Sequence, residues 1–148
     1  MKGMRYLVVF LFILAQCTPS RTRQPEVFAP AGVAINGYDP VGYFVEDQPV
    51  NGSEEYAYTW KDATWYFATK ENLETFKSNP EKYAPQYGGY CAYGAYEDHT
   101  APTEPDTWTI VDGKLYLNYN IEVRDLWRQN PVEHIKVADK NWPGILDK

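Results

Sequence analysis

The chain has 148 residues, of which 44% are hydrophobic and 23% charged, proportions that exclude a disordered or collagen-like polymer. Aromatic side chains reach 16%, with 13 Tyr and 5 Trp, so a core built on rings is expected. The formal charge is −6, a poor match for phosphate backbones, and no nucleic-acid partner is expected.

The first elements are an address rather than a fold. Lys2 and Arg5 precede an uninterrupted apolar run over residues 6–15. That run is shorter than the roughly 20 residues a spanning helix needs, and its length suits the core of a secretory leader. Residues 1–16 are read as a signal peptide. Leu14-Ala15-Gln16-Cys17 resembles a bacterial lipobox, with Gln16 in place of the usual small residue, and implies acylation of Cys17. The expected location is therefore the cell envelope or periplasm, with the exported chain anchored to a membrane surface by lipid on Cys17. Residues 17–33, rich in Pro and small polar side chains, read as the lipidated cysteine and a flexible tether.

The folded domain is expected over residues 34–148. Val33-Ala34-Ile35 is a short strand candidate, Asn36-Gly37 a turn, and Tyr38 to Phe44 a loop leading into a second short strand. Tyr56, Tyr58 and Trp60 alternate with smaller residues and pair with Thr64-Trp65-Tyr66-Phe67 across a turn at Lys61-Asp62-Ala63, a predicted hairpin. Thr69 is placed to cap a helix over residues 70–78, which Asn79-Pro80 ends. Pro80 opens a helical turn through Tyr83, and Gly88-Gly89 bends the chain toward Cys91. Residues 107–111 and 114–117 flank Asp112-Gly113, the signature of a type I′ hairpin. Val123, Leu126 and Trp127 mark one helix. Asn130-Pro131-Val132-Glu133 opens the last helix, with Ile135, Ala138 and Trp142 on one stripe. Strands and helices mix without βαβ alternation, so the predicted class is α+β: one small domain of short β-hairpins packed against several helices.

Several motifs then resemble a known family. Gly37-Tyr38-Asp39-Pro40-Val41, Trp65-Tyr66-Phe67, Asn79-Pro80-Glu81-Lys82-Tyr83, Gly88-Gly89-Tyr90-Cys91-Ala92, Asp112-Gly113-Lys114-Leu115-Tyr116-Leu117 and Ala138-Asp139-Lys140-Asn141-Trp142-Pro143 are similar, in this order, to exported bacterial YHS-domain proteins. The resemblance implies a YHS-like fold. Metal-associated members carry thiolates suited to Cu(I) or Zn(II), in an Asp-Pro-Val-Cys motif and a Phe-Cys-Ser-x-x-Cys motif. Here Gly42, Ala68 and Asn72 stand at those three cysteine positions. The resemblance thus implies a retained frame without that ligand set.

The chemistry left in the chain centres on Cys91, the only thiol if Cys17 is acylated. Near the start of a short helix it would gain thiolate character and serve as a nucleophile or metal ligand; among Tyr87, Tyr90 and Tyr93 it would be a buried small hydrophobe. His99, in an acidic loop, meets Cys91 only if that loop folds back. His134 reads as surface or packing. Tyr87, Tyr90, Cys91 and Tyr93 are the candidate ligand-binding residues, as walls of an aromatic pocket. No Ser-His-Asp elbow, phosphate loop or dinucleotide fingerprint occurs. The expectation is a membrane-tethered, non-catalytic binding module for a small ligand, with no cofactor predicted. Two alternatives stand beside it. One is a periplasmic copper- or zinc-handling protein using Cys91 and His99; the other is a thiol-dependent enzyme with Cys91 as nucleophile.

Overall fold

A computed structural model describes residues 22–148. The predicted leader and Cys17 lie outside the described residues. Among the described residues no helix is long and apolar enough to cross a membrane.

The chain is α+β, with two separate two-stranded antiparallel sheets and six short helices among the described residues. The first sheet pairs β1 (Ser53–Trp60) with β2 (Ala63–Phe67), Tyr58 opposite Trp65 and Trp60 opposite Ala63. Its register shifts between Ser53 and Ala57, a bulge that bends the long strand. Lys61 and Asp62 make the turn, both at positive φ, as a two-residue connection of right-twisted strands requires. The second sheet pairs β3 (Thr109–Val111) with β4 (Lys114–Tyr116) around Asp112-Gly113, also both at positive φ. Both predicted hairpins are present.

Caps place the helices as the sequence predicts. The Thr69 hydroxyl accepts from the Asn72 amide at 3.1 Å and starts α2 (Lys70–Ser78). α3 (Pro80–Tyr83) follows on its proline. Asn120 accepts from the Val123 amide at 2.9 Å to open α5 (Ile121–Arg128), and Asn130 does the same from Glu133 for α6 (Pro131–Asn141). α4 (Ala92–Tyr96) follows the double-glycine bend.

Two buried clusters form the core. Trp65, Phe67 and Phe76 meet at ring separations of 5.0 and 5.2 Å from Phe76, with Val41, Tyr43, Leu115 and Leu117 around them. Tyr87, Ala92, Tyr116, Trp127, Ala138 and Ile145 form the other cluster. β4 separates the two, because successive strand residues face opposite ways: Leu115 and Leu117 join the first cluster and Tyr116 the second.

Four expectations need correction. Residues 33–35 form no strand: Ala34–Gly37 is a tight turn with Ile35 and Asn36 at positive φ, joined to β2 by a single bridge from Val33 to Thr64. Asn36-Gly37 favours that left-handed backbone, and burial of Ile35 holds the turn in place. The second short strand is instead α1 (Gly42–Val45), nucleated where the Asp39 carboxylate accepts from the Val41 amide at 2.8 Å. Leu126 is 43% exposed and leaves Trp127 alone to bury that face of α5.

The fourth correction concerns the tether. From Gln24 onward the expected linker is a strap on the domain. Gln24 donates to the Leu146 carbonyl at 2.7 Å, Phe28 to Gly88 at 2.9 Å, and Val27 is 2% exposed. Val27 joins the first core cluster and Phe28 packs on the Tyr90 ring at 5.7 Å, which composition alone did not reveal.

Candidate functional site

Three places have the chemistry of a site. The first surrounds Asp39, which is fully buried. One carboxylate oxygen accepts from the amides of Val41 (2.8 Å) and Gly42 (3.3 Å). The other accepts from the Ala68 amide (2.9 Å) and the Asn72 side-chain amide (2.7 Å). Four donors saturate the lone pairs of one carboxylate. Gly42, Ala68 and Asn72 are the residues at the three expected thiol positions, and all three donate to this one side chain. α1, β2 and α2 are thereby fastened to one another by an anion.

The second place is a hollow of about 190 Å³ between the strap, the β1–β2 turn and α6. Its walls are Trp60, Trp65, Tyr87 and Trp142, and Glu26, Lys61, Glu81 and Asp139 supply its charges. Tyr87 and Trp142 meet nearly edge to face at 6.0 Å. The Tyr87 hydroxyl donates to Asp139 at 2.9 Å. Burial, then the Asp139 hydrogen bond and charge, push the Tyr87 phenol far above its ordinary pKa and keep it neutral. Lys61 Nζ stands 2.7 Å from Glu26 Oε1, 3.4 Å from Glu81 Oε1 and 4.7 Å above the Trp60 ring. Burial by itself would lower the Lys61 pKa; Glu26, with Glu81 behind it, outweighs burial and raises it.

The third place is an open apolar groove of about 430 Å³, walled by Cys91, Tyr93, His99, Tyr119, Val123 and Leu126. The loop does fold back: the Cys91 amide donates to Ala101 at 3.0 Å, and His99 to Gly94 at 3.0 Å. Cys91 caps α4, its sulfur accepting from the Gly94 amide at 3.3 Å and its thiol donating to the Asn118 side-chain oxygen Oδ1 at 3.6 Å. Burial pushes the Cys91 thiol up, ahead of the opposing amides of Gly94, Tyr119 and Tyr93. His99 is turned to the Thr100 carbonyl at 3.2 Å and lies 3.6 Å from Glu97. Among the described residues no group of three or more His, Cys, Asp or Glu side chains is placed to hold a metal ion. Two donors on one groove make a weak metal site, and a protonated buried thiol a weak nucleophile.

The predicted ligand-binding residues therefore do not line one pocket. Tyr87 faces the aromatic hollow, and Cys91 and Tyr93 face the apolar groove. Tyr90 faces a third depression beside the strap, with its hydroxyl donated to the Pro25 carbonyl at 2.9 Å. Tyr93 also packs on Tyr96 and His134, and His134 is a packing residue whose Nδ1 donates to the Trp127 carbonyl at 2.8 Å. Sequence reading missed Glu26, Trp60, Lys61, Glu81, Asp139 and Trp142 as neighbours. They come from four separate stretches of chain, and no local spacing joins them.

Compared with known proteins, the chain matches the family model of the YHS domain over residues 41–87. No curated protein and no solved structure gives a match. The matched stretch holds Gly42, Ala68 and Asn72 and ends on Tyr87. The YHS domain is of a metal-binding type, and the residues present here do not fit a thiolate-bound ion. A hydrogen, a methyl group and an amide already committed to Asp39 replace the three sulfurs. Within residues 41–87 the family match and the motif order agree, and over that stretch the chain is similar to the YHS domain.

Proposed function

We propose that this chain is a non-catalytic ligand-binding module of the bacterial cell envelope, held at a membrane surface through acylated Cys17, with the hollow beside Tyr87 as its site. The observation that carries the reading is the hollow itself. Four aromatic walls and a rim of carboxylates converge from the strap, the first hairpin, α3 and α6, the composition of a small-molecule site. The strap gives the anchor a physical consequence. At roughly 3.5 Å per extended residue, lipid on Cys17 would hold Glu26, and so the mouth of the hollow, within about 30 Å of the membrane.

The test is equilibrium binding followed by tryptophan emission, since three of the five Trp line the hollow. Screened against a set of small molecules, the mature chain should give a saturable change that Trp142→Ala loses while keeping its circular dichroism. Binding that persists unchanged in Trp142→Ala contradicts the assignment. For the anchor, Cys17→Ser should move the protein from the membrane fraction to the soluble fraction.

A further inference from the structure

We propose that the hollow takes a small organic cation, a substituted ammonium ion, and that Lys61 is its resident competitor. The inference rests on the binding reading above and adds the ligand class. Three carboxylates and one ammonium line the hollow, so its formal charge is negative, and an anionic ligand would meet Glu26, Glu81 and Asp139 together. A neutral apolar ligand would strip water from those carboxylates without pairing them. An ammonium ion meets both demands. It pairs with the rim and lies on aromatic faces, whose quadrupoles attract cations.

The chain already shows such a seat in use. Lys61 Nζ occupies one end, over Trp60 and between Glu26 and Glu81. At the other end the edge-to-face pair of Tyr87 and Trp142 makes an aromatic corner beside Asp139. Glu81 is the more loosely held partner of Lys61, at 3.4 Å with a side chain 75% exposed, and is free to turn toward a ligand in that corner. A volume of about 190 Å³ restricts the guest to a small head such as a tri- or tetra-alkylated nitrogen.

The experiment uses the mature chain and three probes at constant ionic strength: tetramethylammonium, neopentyl alcohol as its neutral counterpart, and acetate. Tryptophan emission should respond saturably to tetramethylammonium and not to acetate, with neopentyl alcohol weaker by at least several-fold. Glu81→Gln should weaken tetramethylammonium by about two- to fivefold, the range of one exposed ion pair, and Lys61→Met should tighten it by a similar factor. Neopentyl alcohol binding as tightly as tetramethylammonium, or Lys61→Met weakening the cation, overturns the ligand class and leaves the hollow a site. A saturable response to none of the three probes overturns the hollow as a site. Both substitutions lie at exposed or half-exposed side chains, and circular dichroism checks that each variant is folded.

Discussion

The Asn72 side-chain amide donates to the Asp39 carboxylate at 2.7 Å, across the junction of α1 and α2. Asn72 stands at one of the three positions where the resemblance implies a thiol, and here a neutral donor and a buried carboxylate join the two elements. Removing the anion should be expensive. In Asp39→Ala the amides of Val41, Gly42 and Ala68 and the Asn72 side chain all lose their acceptor. A loss of about 3–5 kcal/mol in unfolding free energy is expected, against about 1–3 kcal/mol for Asn72→Ala. Urea unfolding measures both, and a loss below about 1 kcal/mol for Asp39→Ala would contradict the role given to the network.

The strap makes a second prediction. Gly88 sits at φ +64°, and a Cβ there would stand 1.8 Å from the Glu26 carbonyl oxygen. Backbone cannot yield as a side chain can, so Gly88→Ala should lift residues 24–28 from the domain. Destabilisation of about 2 kcal/mol or more is expected, together with faster amide exchange at Phe28, whose N–H now donates to Gly88. Unchanged protection at Phe28 would show that the strap does not depend on this approach.

Cys91 predicts slow alkylation. The thiolate is the reactive form, and burial raises the thiol pKa in the fold. The rate of iodoacetamide reaction in the native chain should rise with pH only above the ordinary thiol value of about 8.5. Saturation of that rate below about pH 7 would mean an activated thiolate and revive the enzyme reading.

Buried phenols set the alkaline limit. Burial raises the pKa of Tyr43 and Tyr87 well beyond the usual range, and burial with nearby Asp139 and Asp112 pushes Tyr116 up to about 12. The unfolded chain ionises near pH 10. Protons are therefore held more tightly in the fold, so this contribution to stability is complete below about pH 10 and lost as pH climbs toward the folded values. Urea midpoints should fall between about pH 10 and pH 12, less steeply in Tyr87→Phe. A midpoint independent of pH in that window would contradict the burial of these hydroxyls.

Local chemistry was legible in the sequence, and its assembly was not. Thr69, Asn130-Pro131 and Asp112-Gly113 announce their cap, helix start and turn because the partner groups lie within three or four residues. The turn at Ile35 was not legible, since an isoleucine at positive φ is stable only when the surrounding core holds it. The Asp39 network joins residues from three elements, and its motif was visible while its acceptor role was not. The hollow was the least legible feature, since it needs the strap folded back over Gly88 before Glu26 and Trp60 line one cavity.

Hydrogen bonds to Asp39 join α1, β2 and α2 at the three positions where the resemblance implies thiolates, and no bound metal ion is needed to hold them. Elemental analysis of the chain, purified without chelators, is the measurement to make. Only traces of copper and zinc, with an unfolding midpoint that EDTA leaves unmoved, are the predicted result. One transition-metal ion per chain, lost together with stability on chelation, would contradict it.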